Sequence, residues 1–205
     1  MDDFLLLGMN RHRMHTDGKG ITTLAALAGC PLSCRYCINR EALACTDHIE
    51  TVSPGALAER LAIDHCYFVY TGGGVTFGGG EPLLQSRQIA AFAKLCPMEW
   101  NITLETSLNV PPKLLAPLLS DRFSFIVDIK AMQPEIYKDY TGMDNRRAVK
   151  NLISLSTQIP LDNYIVKVPV IPGYSDSLQA EASVRELQNL GIPAQNIVTF
   201  RYTAS

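Results

Sequence analysis

Three cysteines fall within eight residues of this chain, in the stretch Gly29-Cys30-Pro31-Leu32-Ser33-Cys34-Arg35-Tyr36-Cys37. Thiolates at short fixed spacing serve iron–sulfur clusters and structural zinc alike, because one irregular loop can aim several sulfurs at a single inorganic centre. A four-iron cube held by three thiolates keeps one iron open, and an open iron can chelate a small molecule bearing an amine and a carboxylate. The competing reading is a zinc site completed by His48. Zinc sites more often join C-x2-C units from two places, and the sequence offers no second pair.

The elements that must position such a loop can be read around it. Residues 1–20 read as a loop ending in the turn-prone Asp17-Gly18-Lys19-Gly20. The apolar run Ile21 to Ala28 predicts a buried strand whose end delivers the cysteines. Ser53 as cap and Pro54 at the first helical position predict a helix with Leu57, Leu61 and Ala62 on its inward face. Val75-Thr76-Phe77 predicts a strand running into Gly78-Gly79-Gly80-Glu81-Pro82, with a helix over Leu84 to Leu95. The alternation continues through strands Trp100 to Thr106, Phe123 to Ile129, Tyr164 to Ile171 and Asn196 to Tyr202. Helices are predicted between them over Pro112 to Leu119, Glu135 to Tyr140, Arg146 to Ser156 and Ser177 to Leu190, with Gly191 as the last stop. Six strands separated by helices imply an α/β fold with a parallel sheet covered by helices. A closed eight-unit barrel takes about 250 residues. The 205 residues present therefore predict a partial (β/α)6 TIM-like barrel, open on one side, as a single domain over residues 1–205.

Composition narrows the function classes. Hydrophobic residues make up 47% and charged residues 19%, an ordinary globular balance, and no apolar run approaches the ~20 residues of a membrane span. Acidic Asp2 and Asp3 before Phe4-Leu5-Leu6-Leu7 reverse the pattern of a secretory signal, which predicts a cytoplasmic protein with no membrane partner. The net charge of -2, with Arg11-His12-Arg13 the one local basic spot, gives no electrostatic case for nucleic acid. Six cysteines in that compartment argue against disulfides. Cys45, Cys66 and Cys96 read as isolated buried thiols. His12, His15, His48 and His65 have no catalytic spacing and read as surface or structural. A monomer is expected.

The cysteine spacing, with aromatic Tyr36 before the last thiol, resembles the signature of the radical S-adenosylmethionine (SAM) enzymes. Parallel α/β folds gather ligands at the C-terminal ends of their strands. The cysteine loop, Gly78 to Glu81, Glu105-Thr106, Asp128-Ile129-Lys130 and Lys167 all fall there. Adding the run Gly72 to Gln85 and Pro169-Val170-Ile171-Pro172-Gly173-Tyr174-Ser175-Asp176, the chain from Asp17 to Asp176 resembles the glycyl radical enzyme activating enzymes.

The resemblance implies a radical SAM fold and an oxidoreductase with a [4Fe–4S] cluster on Cys30, Cys34 and Cys37. It implies that one electron from a flavodoxin or ferredoxin-type donor cleaves SAM, and that the deoxyadenosyl radical so formed removes a Cα hydrogen from a glycine in a partner glycyl radical enzyme. Gly79, Gly80 and Glu81 would approach the methionyl group of SAM, Lys130 its carboxylate, Asp128 a ribose hydroxyl and Tyr36 the adenine. Glu105 would sit by a monovalent cation, Lys167 stands where the family has an arginine, and Asp17 would lie near the peptide. No side chain need act as a general acid or base.

Departures accompany the matches. Lys19 and Thr22 replace a proline and an arginine of the family pattern, Glu105 replaces an aspartate, and no histidine follows Phe200-Arg201-Tyr202. Two alternatives stay open: a radical SAM enzyme acting on a small molecule, as the deazaguanine-forming synthases do, and a non-catalytic iron–sulfur or zinc protein.

Overall fold

The computed structural model describes residues 2–14 and 17–202; His15 lies outside them. The strands are β1 (Phe4–Met14), β2 (Ile21–Leu27), β3 (Glu50–Val52), β4 (Gly74–Gly79), β5 (Asn101–Thr106), β6 (Phe123–Asp128), β7 (Tyr164–Val170) and β8 (Ile197–Arg201). The helices are α1 (Arg40–Ala44), α2 (Pro54–Leu61), α3 (His65–Thr71), α4 (Ser86–Phe92), α5 (Pro112–Leu115), α6 (Pro134–Thr141), α7 (Arg146–Ser156) and α8 (Ser177–Asn189). They build one sheet in the order β3-β1-β2-β4-β5-β6-β7-β8. From β2 to β8 every pairing is parallel, so the six expected strands form the six-unit half-closed barrel. No helix among the described residues is long and apolar enough to cross a membrane.

Period-two alternation divides the strands between two environments. Outward residues such as Val75, Phe77, Leu104, Val127, Val166 and Val168 are buried under the helices. There Phe4, Phe77 and Phe92 pack ring on ring, with centroids 5.3 to 6.5 Å apart. Inward residues are mixed, small and polar side chains standing beside two isoleucines. Asn101, Thr103 and Glu105 of β5, Ser124 and Ile126 of β6, and Ile165 and Lys167 of β7 line a cavity of about 720 Å³ inside the curl of the sheet. The barrel therefore keeps its centre open.

The first departure from expectation is β1, an eleven-residue strand where a loop was predicted. Its alternation is broken by register irregularities between Leu6 and Gly8 and between Asn10 and Arg13, and His12 has φ of 57°. A bulge turns neighbouring side chains to one side and erases the period that marks a strand. Arg11 and His12 consequently both reach the fully buried Asp64. Thr23 Oγ1 donates to the same carboxylate at 2.9 Å, so one buried anion ties β1, β2 and the turn before α3 together. Arg13 pairs with Asp17, so neither arginine of the basic spot is free.

Smaller departures have similar causes. α3 went unforeseen, since Tyr67, Val69 and Tyr70 face solvent and mask its amphipathic pattern. Ala62 is exposed because α2 ends at Leu61 and tightens into a 3-10 turn. Cys96 is buried as expected, whereas Cys66 is exposed on α3 and Cys45 is half-buried. His12, His48 and His65 are at the surface. His65 Nδ1 accepts from Trp100 Nε1 at 2.9 Å.

Burial works to raise the pKa of Asp64, and hydrogen bonds from Arg11 and Thr23 overcome it, holding the carboxyl below its ordinary range. Its contribution is present above the unfolded carboxylate pKa of about 3.9 and is lost as pH falls through the lower folded value. Asp64→Asn is expected to cost about 2–3 kcal/mol at neutral pH, with the gap to the parent protein beginning to narrow below about pH 4. Denaturant melts at pH 7 and pH 3.5 check both values.

Candidate active site

The cysteine loop leaves β2 without regular structure, and its neighbours supply the order. Gly80 N donates to Leu27 O at 2.9 Å and Glu81 N to Gly29 O at 2.8 Å, which extends the β2–β4 pairing into the loop. On the other side Ser33 N donates to Thr141 O at 2.8 Å and Arg35 N to Tyr140 O at 3.0 Å. These are carbonyls that the end of α6 leaves without helical partners. Arg40 Nη2 donates back to the carbonyls of Cys34 (2.8 Å) and Arg35 (2.6 Å). Asn39 Nδ2 donates to Gly79 O at 2.9 Å, and Tyr36 Oη to Pro172 O at 3.1 Å.

The glycines let two stretches of backbone meet closely. A Cβ on Gly80 would lie 2.1 Å from the Gly29 carbonyl oxygen, and one on Gly79, where φ is +83°, would lie 2.8 Å from Ala26 Cβ. Their bareness lets β4 press against the root of the cysteine loop; the crowding is with protein. Glu81 is likewise engaged internally. Its buried carboxylate accepts from Thr106 Oγ1 (2.5 Å), Ser107 N (2.9 Å), Ser107 Oγ (2.6 Å) and Leu83 N (3.2 Å). Burial pushes this carboxyl above its ordinary range against those four donors. Tyr36 packs edge-on against Tyr174 and Tyr140, at 5.8 and 6.1 Å. In the Pro172-Gly173-Tyr174-Ser175-Asp176 run, Ser175 Oγ accepts from Ile171 N at 2.9 Å and Asp176 caps α8 in a reciprocal capping box. The run thus builds the wall on which the cysteine loop rests.

A cavity of about 640 Å³ opens beside the loop at the strand ends, lined by all three cysteines with Tyr36, Gly79, Gly80, Glu81, Glu105, Asp128 and Lys130. Lys130 is buried, pairs with Asp128, and donates to Tyr202 Oη at 3.1 Å. Burial opposes its charge, but Asp128 and Tyr202 hold its pKa well above the ordinary lysine value. Lys167 lies 3.5 Å from Glu105. Burial raises the Glu105 pKa while Lys167 pulls it down. Of the predicted residues, Asp17 and Lys167 line the inner cavity and the others the upper one; Glu105 lines both. Asp17 is buried, and its carbonyl accepts from Thr76 Oγ1 inside the barrel.

These residues fit a cluster with an amino-acid-bearing ligand. Burial pushes the Cys30 thiol up to about 11 and raises Cys34, so ligation must expel protons. No three His, Cys, Asp or Glu side chains among the described residues gather closely enough for a single metal ion, and His48 is exposed. Asp128 Oδ1 is buried in the cavity wall without a partner, an acceptor that a ligand hydroxyl would satisfy. Sequence reasoning missed Asn39, Arg40, Ser107 and Tyr202. Each acts through a contact with residues distant in sequence or with backbone carbonyls, which no short motif records.

Gly80→Ala is expected to push Gly29 and Cys30 aside. Iron retained after anaerobic reconstitution should fall below about half while far-ultraviolet circular dichroism stays unchanged, since the clash of 2.1 Å is confined to the loop root. Arg40→Ala should release iron to a chelator several-fold faster than the parent.

Comparison with known proteins agrees with this geometry. The family model of the Radical SAM superfamily matches residues 26–183. The (2S)-3-sulfopropanediol dehydratase activating enzyme of Klebsiella oxytoca is 30% identical over 235 residues, covering 85% of this chain and 73% of that protein. The isethionate sulfite-lyase activating enzyme of Desulfovibrio desulfuricans is 27% identical, covering 88% and 77%. Among solved structures, SuiB of Streptococcus suis superposes with a TM-score of 0.63 at 15% identity, over 89% of this chain and 40% of that one, a likeness of fold. The chain belongs to the radical SAM superfamily and, within it, to the activating enzymes of glycyl radical enzymes.

Proposed function

We propose that residues 1–205 form one radical SAM domain in which Cys30, Cys34 and Cys37 hold a [4Fe–4S] cluster, with SAM in the cavity beside them. The observation that carries this reading is the convergence of the three thiols, the buried Lys130–Asp128 pair and the orphaned Asp128 Oδ1 on one cavity. When bound, the cluster and SAM supply one-electron reduction and carbon-radical chemistry. The chain's own residues bind and orient. Lys130, held charged by Asp128, presents an ammonium to the SAM carboxylate, and the free Asp128 oxygen accepts from a ribose hydroxyl. Gly79, Gly80 and Glu81 set the cavity wall at the methionyl end, and Tyr36 borders the adenine.

Glu105 and Lys167 close the boundary between the upper cavity and the interior, where a monovalent cation beside Glu105 would add to the charge Lys167 already supplies. Asp17, anchored by Arg13, faces the interior that receives the polypeptide. The substrate is a glycine in a partner glycyl radical enzyme, delivered through the open side of the barrel, with a flavodoxin or ferredoxin-type protein as electron donor. We further propose a cytoplasmic monomer. The matched relatives are themselves activating enzymes, which favours this reading over the small-molecule alternative.

Anaerobic reconstitution should load about four irons and, after dithionite reduction, yield 5′-deoxyadenosine. The cognate partner should then show a glycine-centred radical by electron paramagnetic resonance. Cys34→Ala should abolish iron binding and Cys96→Ala should not. Lys130→Ala should weaken SAM binding by about tenfold or more, as expected for a lost charge-assisted contact, against less than about twofold for exposed Lys138→Ala. Tightly bound zinc with no nucleoside formed would overturn the assignment.

A further inference from the structure

Three successive carbonyls at the root of the cysteine loop are held by one short segment. Gly80 N donates to Leu27 O and Glu81 N to Gly29 O, both main chain to main chain. The carbonyl between them, that of Ala28, accepts from a side chain, Gln85 Nε2, at 3.1 Å. Gln85 ends the 3-10 turn Pro82–Gln85 and is buried. Its Nε2 also donates to Leu5 O at 3.1 Å, and its Oε1 accepts from Leu5 N at 2.8 Å. The Leu5 amide can only donate, so its bond fixes which way round the carboxamide lies. One buried side-chain amide thus stands in for a peptide unit between β1 and the loop root. Gly29 is the pivot there: it is exposed, has φ of +87°, and a Cβ on it would meet only Leu84 Cδ1, at 3.3 Å. A glycine at positive φ allows the peptide before it to turn over, the movement that relates a type II turn to a type I turn. The flanking carbonyls are tied by main-chain amides that no substitution removes, so Gln85 is the one side chain holding the Ala28–Gly29 peptide.

We infer that Gln85 is a positioning residue for the cluster: it locks the Ala28–Gly29 peptide in one orientation and so gives Cys30 a single direction of approach, acting through the Ala28 carbonyl. The inference rests on the reading of Cys30, Cys34 and Cys37 as cluster ligands and adds to it a side chain from outside the loop. Without the carboxamide the Ala28 oxygen loses its donor, and turning the peptide over toward water becomes the way to satisfy it. Gly29 alone separates that peptide from Cys30, so the sulfur then samples two directions where a cluster needs one. The entropy of that choice opposes cluster binding.

Ala28–Gly29 is the only Ala–Gly step in the sequence. Labelling alanine at its carbonyl carbon and glycine at its nitrogen therefore gives one coupled nuclear magnetic resonance signal, which reports this peptide alone. In the metal-free parent protein that signal should be single and sharp. Gln85→Met keeps the side-chain volume and removes the three hydrogen bonds; it should broaden or double the signal. After anaerobic reconstitution the same variant should release iron to a chelator about tenfold faster than the parent, the scale of one buried hydrogen bond. Gln85→Glu supplies the conservative rescue. Its neutral carboxyl can accept from Leu5 N and donate to Ala28 O, whereas the ionised form sets a carboxylate against two carbonyls, and burial favours the neutral form. Its iron release relative to the parent should lie within about threefold near about pH 6 and rise to about tenfold near about pH 9, with its signal passing from single to doubled over the same range. That arm decides the matter even where Gln85→Met does not fold. Asp64→Asn, a destabilising change at the opposite end of the β1–β2 pair, should leave the signal single and the release rate within about twofold of the parent. A single, unbroadened signal in Gln85→Met, or a Gln85→Glu release ratio that does not rise with pH, would overturn the inference. Equal acceleration in Asp64→Asn would assign the effect to global stability and overturn it too. A parent protein that loads no iron would remove the cluster reading and this role with it, and the metal-free signal would tell that failure apart from an unlocked peptide.

Discussion

A loop of nine residues with no helix or strand of its own carries three thiols beside the upper cavity, and much of the site is arranged to hold that loop steady. An isolated loop of this kind would pay its conformational entropy in full at the moment of metal binding. Here amides just past β4, carbonyls ending α6, the Arg40 guanidinium and the Tyr36 hydroxyl hold it from four directions. Each contact satisfies a backbone group that the loop's irregularity or a helix terminus would otherwise leave unpaired. Order at the loop and economy of hydrogen bonding are thus met by the same bonds.

The same constraint explains the buried charge. Glu81 lies at the foot of the loop and fastens the end of β5 to it through Thr106 and Ser107. A carboxylate so deep is tolerable because four donors surround it. The adjoining turn carries Leu108 in the left-handed region at φ of 56°, held by Asn151 Nδ2, which donates to the carbonyls of Leu108 and Val110 at 2.8 Å each. Strain at this edge of the site is offset by satisfied polar groups around it. Lys130 and Asp128 follow the same logic, paired within the protein yet leaving one carboxylate oxygen for a ligand.

An open barrel follows from what its strands place inside. Thr103, Ser124 and the loop at Asp17 and Gly18 cannot fill the centre as branched apolar layers would, so the interior is available to a polypeptide segment. The unclosed side is then the way into that interior.

Much of this was legible in the sequence. Cysteine spacing declared the chemistry, and the repeated change from strand to helix periodicity declared the six parallel units, because those signals are local: a pattern of neighbours decides them. The placement of Asp128 and Lys130 at a strand end was legible for the same reason. What the sequence left hidden depends on residues far apart along the chain. β1 was lost because its bulges destroy the alternation and its partner Asp64 lies over fifty residues away. The bareness of Gly79 and Gly80 was readable, but whether ligand or protein fills the space was not, and the tertiary structure put Gly29 and Ala26 there. Glu81 turned inward, Lys167 met Glu105, and Arg40 and Tyr202 joined the site only because folding brought their partners within hydrogen-bonding or Coulombic reach. The sequence by itself determined the kind of chemistry and the order of the elements; the tertiary structure alone decided which polar groups satisfy one another and which remain free for a ligand.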